Sequence, residues 1–486
     1  MRCESGREEV RAEQPEIPGA VAHAAKERIM PPATRARLAS VRVSPGGYLA
    51  ASCVLTFAAT LLLRAEYDAA SLIAIALAWI VTPVLAFTDR ISFDGQTLAR
   101  KGLIPLIIRF IKGNSLSLNI EEIERVETSA VRTLRRNGRV RYRYRSEVSA
   151  KGRVLTFSSG GNSYRRMVCA LFPLLGYDKV DARSSEMRDY MTDARTLRIN
   201  LEMLKIAPPE VLEGTTNNLE GNGKKDARQK RPEWTGPSAI DVERGRLLRL
   251  AANELRAQGR LREAAEAFRR AFKFIQRDGW LLYEFARYLR SQAGANRDAR
   301  MMRRSRACLR LAILRAGDDA ALLSRIGESF YEYGELTQAA RAFRRALELN
   351  PRAFRAEIGL AEVALRNGKL AHVVHHYDAA ARIAPDEALT RYAHHESDYY
   401  ARLNNDDDYL AAELRRINWL QNLQRARRLA ARMTLASVLL ALIGPSLDQS
   451  LENIGWSLAT SSLIAWLGVA LIIRFLTPRR RMRTTE

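Results

Sequence analysis

At 486 residues the chain is too long for one hydrophobic core and should divide into two or three domains. A formal net charge of +24 exceeds what solubility asks for and implies contact with something polyanionic. Four scattered cysteines, Cys3, Cys53, Cys169 and Cys308, form no CxxC pair, which argues against a disulfide framework or a zinc ribbon and fits a reducing compartment.

Residues 1–42 read as a basic, disordered N-terminal segment. The runs 43–63 and 69–88 carry no charge, and each is about as long as a helix needs to cross roughly 30 Å of hydrocarbon. Only "RAEYD" separates them, so 43–88 is expected to form a transmembrane hairpin. Near the other end, 453–473 is uncharged and 433–447 is a shorter apolar run, giving a second hairpin over 433–476. A cleaved signal peptide is the rival for the first run, but a second span follows at once and no convincing cleavage site is present. Basic residues flank the hairpins on their outer sides: Arg28, Arg35, Arg37 and Arg42, then Arg90, Arg100 and Lys101, then Arg425, Arg427, Arg428 and Arg432, and last "RRRMR" at 479–483. The turns "RAEYD" and "DQSLEN" are acidic or nearly neutral. The expected protein is therefore multi-pass, with both termini and the central domains cytosolic.

Residues 89–205 read as short strands, one helix and a helical extension, a small α+β antiparallel-sheet domain. "RISFDGQTLAR" holds an Asp-Gly turn, "RNGRVRYRYRSE" an Asn-Gly hairpin signal, and "NSYRRMVCALFPLLG" a capped helix ending at Gly176. In an extended chain Arg139, Arg141, Arg143 and Arg145 share one face, and Val140, Tyr142 and Tyr144 the other. That stripe is expected to lie on anionic lipid, with a solvated, aggregation-blocking edge as the alternative. Nucleic acid is disfavoured, because a stacking platform wants tyrosine and arginine on the same face. "SSGGNSYRR" at 158–166 lacks the Walker spacing and lysine and reads as a plain strand-to-helix turn rather than a phosphate site. A two-span hairpin followed by "ISFDGQTLARKG", "LNIEEIERVE" and a terminal helix resembles the bacterial pleckstrin-homology-like domains that sit on membranes, which implies a bacterial inner (cytoplasmic) membrane as the location.

Residues 206–240, rich in Pro, Gly, Asn and charge, read as a flexible linker able to carry the C-terminal half of the chain away from the sheet domain. Beyond it the chain repeats itself. "GRLREAAEAFRRAF" (259–272), "GELTQAARAFRRALELNP" (334–351) and "GKLAHVVHHYDAAARIAP" (368–385) align without gaps, the last two 34 residues apart. Gly334, Ala339, Phe343, Ala346 and Pro351 recur as Gly368, Val373, Tyr377, Ala380 and Pro385, and the first copy has Gly259, Ala264, Phe268 and Ala271. Leu323, Ile326, Gly327 and Phe330 fit the preceding helix, and "WLLYEFARYL" with "SRACLRLAILRAG" forms a degenerate copy with an insertion around 293–300. This pattern resembles the tetratricopeptide repeat (TPR) and implies an all-α solenoid over 241–387, followed by a helical cap over 388–432. The resemblance implies a partner-binding groove lined by Arg249, Asn253, Arg256, Tyr283, Arg287, Arg290, Ser324, Glu328 and Tyr331. Arg249 with Asn253 matches half of the family's carboxylate-gripping pattern, and the basic N-terminal end of the groove favours an acidic protein or peptide. Residues 477–486 complete the chain as a basic cytosolic tail.

His372, His375, His376, His394 and His395 crowd together, but no HExxH, GxSxG, Walker or dinucleotide motif is present. Neither metal, cofactor nor catalysis is expected. The expected function is a membrane-anchored scaffold that recruits partner proteins. The alternatives are an anionic-lipid-sensing regulator and a non-catalytic subunit of an envelope export or enzyme complex.

Overall fold

The computed structural model describes residues 39–112, 117–134, 140–158, 162–191, 202, 238–296, 298–444 and 448–476. The segment before Ala39, the Asn137-Gly138 turn with Arg139, residues 159–161 of "SSGGNSYRR", the extension 192–205 apart from 202, the linker up to 237 and the tail 477–486 lie outside the described residues.

β1 (Ala39–Arg42) corrects the N-terminal boundary: part of the stretch expected to be disordered pairs antiparallel with β2 (Arg90–Phe93), Val41 opposite Ile91. The cause is alternation, since Ala39 and Val41 point into the same core as Ile91 and Phe93. Between these strands run α1 (Gly46–Arg64) and α2 (Asp68–Thr88), the latter interrupted by a π-helical turn at Leu77–Val81. β3 (Thr97–Lys101) follows a tight turn in which the Asp94 carboxylate accepts the amide N–H groups of Gln96 (3.1 Å) and Thr97 (2.7 Å), and Gly95 takes φ 103°. α3 (Leu103–Lys112) then interrupts the sheet before β4 (Ser117–Asn119). The first sheet has the order β1-β2-β3-β4, and β5 (Arg125–Leu134), β6 (Val140–Ala150) and β7 (Arg153–Ser158) form a second. α4 (Asn162–Leu171) lays Tyr164, Met167, Val168 and Leu171 on a core shared by both sheets. After two 3-10 turns comes α5 (Ala182–Tyr190), capped by the Asp181 carboxylate on the Ser184 N–H at 2.8 Å.

Four antiparallel helix pairs come next: α6 (Ala239–Ala257) with α7 (Leu261–Phe274), α8 (Gly279–Asn296) with α9 (Ala299–Arg315), α10 (Ala320–Glu332) with α11 (Leu336–Leu349), and α12 (Phe354–Arg366) with α13 (Leu370–Ile383). Three of the pairs turn at equivalent glycines, Gly259, Gly334 and Gly368, with φ of 80°, 76° and 71°, the left-handed conformation that ends a helix cheaply only at glycine. The insertion of the degenerate copy falls where α8 meets α9. α14 (Glu387–Asn405) continues the solenoid-like stack.

α15 (Asp407–Ile443) and α16 (Gln449–Leu476) lie along each other, with Thr434 donating to Ser462 at 3.0 Å and Gly455 backed against Ala441. Among the described residues three helices are long and apolar enough to cross a membrane: α1, α2 and Gln449–Ile473 of α16. The expected run 433–447 is no independent apolar helix. Its described part is the end of α15, whose preceding turns carry Arg425, Arg427, Arg428 and Arg432. The two hairpins meet at their tips, where Arg64 pairs with Glu452 at 2.8 Å and Phe57 packs on Trp456 with ring centroids 5.7 Å apart.

Candidate partner-binding groove

The first helices of the pairs, α6, α8, α10 and α12, line one face of the stack, and the sheet domain rests against it. α5 supplies most of the contact. It is bolted to the sheet by a buried hydroxyl chain in which Thr128 Oγ1 lies 2.7 Å from Ser184 Oγ and 2.9 Å from Ser146 Oγ, and Tyr164 reaches Ser146 at 2.8 Å. So anchored, α5 presents to the groove Glu186 and, one helical turn further on, Asp189 and Tyr190.

Glu186 pairs with Arg256 at 3.2 Å and with Arg287. These guanidiniums are 8% and 6% exposed, so each needs the carboxylate it meets. Burial pushes the Glu186 carboxyl up, and the positive charges of Arg256, Arg287 and Arg183 outweigh it, holding the group at about 2. Asp189 accepts from Arg325 at 2.7 Å and from the Tyr177 hydroxyl at 2.8 Å. Tyr190 donates to Glu284, a fully buried carboxylate that also takes Asn253 Nδ2 at 2.7 Å and faces Arg249 Nε at 3.4 Å. Burial raises the Glu284 carboxyl above its ordinary range despite Arg249.

The remaining groove positions are also engaged. Arg249 pairs with Asp278 at 3.2 Å, and Arg290 with Glu332 while lying 4.6 Å over the Tyr333 ring. The Tyr283 hydroxyl accepts from Arg287 at 3.3 Å, and Ser324 donates back to Ala320 O at 2.9 Å. Glu328 holds Arg355 at 2.8 Å, and the same guanidinium donates to Tyr177 O at 2.8 Å. The Tyr331 ring lies under Arg366 at 4.5 Å. Further along, Lys179 meets Asp386 at 3.0 Å, and Arg125 meets Glu362 at 3.7 Å. The two bodies are thus docked through these pairs.

In the arginine stripe, Arg143 and Arg145 are exposed and Tyr142 and Tyr144 turn inward, as alternation requires. Tyr144 stacks on Tyr164 and donates to Ala257 O at 2.7 Å, so the inward face is shared between the sheet and the solenoid-like stack. Arg145 pairs with Glu147 at 3.2 Å. The Arg141 side chain, like Arg139, lies outside the described residues.

Sequence reasoning missed Glu186, Asp189, Tyr190 and Glu284. The available signal was an Asp-x-x-Ser cap followed by two acids and a tyrosine on one face of the expected helical extension, without an apolar stripe to show that this face is buried. His376 contacts Glu357 at 2.8 Å, and among the described residues no three His, Cys, Asp or Glu side chains gather as a metal site requires.

Fold and groove define a mainly helical protein with three helices apolar enough for a membrane, in which a solenoid-like stack receives a small antiparallel sheet domain. No protein-family model matches the chain, and no curated protein matches it.

Proposed function

We propose that the chain is a TPR-type scaffold, anchored in a bacterial inner membrane, that recruits an acidic helical segment of a partner protein on the cytosolic side. The repeat reading is supported by the three equivalent glycine turns and by the Phe343 ring wedged against Gly327 and Gly359. The pleckstrin-homology-like reading is supported by two antiparallel sheets of four and three strands closed by a helix. Membrane anchoring is supported by the three apolar helices. The β1–β2 pairing supports a hairpin that returns to its starting side, because the chain before α1 and the chain after α2 are neighbours in one sheet. A crossing α15 is supported by the joined tips, which bring its end level with the far end of α1.

The observation that carries the recruitment reading is that the groove arginines already hold two carboxylates of one helix face, Glu186 and Asp189 of the chain's own α5. A groove built this way takes a helix that presents carboxylates on one face, and a partner gains access when α5 yields. The test is a labelled peptide of residues 181–191 titrated onto the full chain in nanodiscs. Binding is expected for Glu186→Lys, whose α5 is repelled, and at least tenfold weaker binding for the wild type and for Glu186→Lys combined with Arg287→Glu. No binding to Glu186→Lys discards the reading.

A second reading, contact with anionic lipid, is favoured by the end of the sheet domain from which α1 and α2 emerge. There α3 exposes Leu106, Ile107 and Phe110, the last 92% exposed, beside the end of α2. At the same end Arg42, Arg90 and Arg166 line one groove with Ser44 and Ser163. Under this reading the lipid contact extends beyond Arg143 and Arg145 to this end.

A further inference from the structure

We infer that the half-open cavity between α5, strands β5 and β6 and the first helices of the stack is a binding site for a small dianion, inorganic phosphate or a phosphomonoester. The cavity measures about 180 Å³ and is walled by Tyr142 and Tyr144 on the sheet side and by Arg183, Arg256, Arg287 and Arg290. Glu186 and Glu332 are the carboxylates in its lining. Four guanidiniums therefore face two carboxylates, which leaves two positive charges unbalanced among the lining residues. Both carboxylates are already spent, Glu186 on Arg256 and Arg287, Glu332 on Arg290.

Arg183 is the distinctive member. It projects from α5 into the cavity with no hydrogen bond or ion pair to any described residue, while every other arginine in the lining has a fixed carboxylate partner. Arg183 acts on Glu186 and Glu332 through space, without an ion-pair contact to either, so a half-buried cation beside three more gains from something negative that joins it. A tetrahedral dianion suits this arrangement better than a planar carboxylate. The guanidiniums converge from two walls, Arg183 from α5 and the others from α6 and α8, and a phosphate offers oxygens in both directions. Ligand bound there bridges the two bodies, so it favours the docked state over the open one.

The experiment uses the full chain in nanodiscs, titrated with sodium phosphate against sodium chloride at matched ionic strength. The expected result is a saturable rise in melting temperature with phosphate alone, and loss of at least tenfold in phosphate affinity for Arg183→Gln. Because Arg183 has no structural partner among the described residues, that variant is expected to melt at the wild-type temperature without phosphate. Arg183→Lys, which keeps the charge, is expected to retain part of the affinity. Equal phosphate response in the wild type and Arg183→Gln overturns the proposal, as does a phosphate response no larger than that to chloride. Should Arg183→Gln fail to fold, phosphorus NMR line broadening on the wild-type chain, absent with a matched nanodisc lacking protein, decides the matter.

Discussion

The ring of Phe343 sits between glycines of two different helices, and a Cβ built on Gly359 would come within 2.4 Å of its Cζ. No rotamer change relieves such an overlap in a core where Phe343 is 1% exposed. Gly359→Ala is therefore expected to cost roughly 1–3 kcal/mol in chemical denaturation. Gly176→Ala, where a Cβ meets nothing within 4 Å, should be neutral. The groove carboxylates give a second prediction at this scale. Glu186 has its proton affinity lowered to about 2, against about 4.3 in an unfolded chain, so its contribution is fully present above that unfolded value and lost as pH falls toward 2. Glu332 is lowered as well and acts in the same direction, whereas Glu284 is raised and opposes them. Energy transfer between dyes on the sheet domain and on α10 should accordingly fall between about pH 4 and pH 2. Glu186→Ala should weaken docking at neutral pH by about 3–5 kcal/mol, because it removes the carboxylate that Arg256 meets and leaves Arg287 with Glu332 alone, 3.8 Å away. Residue-level reading from sequence succeeded where periodicity governs, as with Arg143 and Arg145 against Tyr142 and Tyr144. It could not foresee that Arg256 and Arg287 would be met from within the chain, since their partner lies in another domain.

Among the elements, the repeats were legible because each copy carries its own signals: a glycine that ends the first helix and small residues that admit an aromatic ring. β1 and α5 were not. Four residues ahead of an apolar span carry too short an alternation to register as a strand, and only pairing with β2 gives them one. α5 is polar on nearly every side, and its burial depends on arginines contributed by α6, α8 and α10 rather than on an apolar stripe. α15 shows the converse. Its apolar end looked like a separate span in the sequence, yet it continues a long arginine-rich helix without a break. α3 offers a test at this scale. Replacing Ile107 and Phe110 with aspartate leaves the buried core of the sheet domain untouched, since both side chains are exposed. On the lipid-contact reading it should make the α3 region accessible to protease in nanodiscs. Unchanged cleavage would count against α3 lying in the headgroup layer.

For the whole molecule, the proposed arrangement puts both domains and both termini on one side of the bilayer. A reporter fused after residue 483, or inserted within 206–240, should be active only in the cytosol, and activity outside would reverse the topology. Docking of the sheet domain to the solenoid-like stack ties the region after α2 to the region before α15, while Arg64 and Glu452 tie the hairpins at the opposite end. The molecule is thus joined at two levels, and loosening one leaves the other in place.

The strand that precedes α1 has a consequence for biogenesis. β1 leaves the ribosome before either of the first two apolar helices, yet its partner β2 is translated only after both, so the sheet cannot close until the intervening hairpin has been made. On the proposed topology, a nascent chain whose N-terminal side were exported would lose that strand from the sheet and leave Ile91 and Phe93 uncovered.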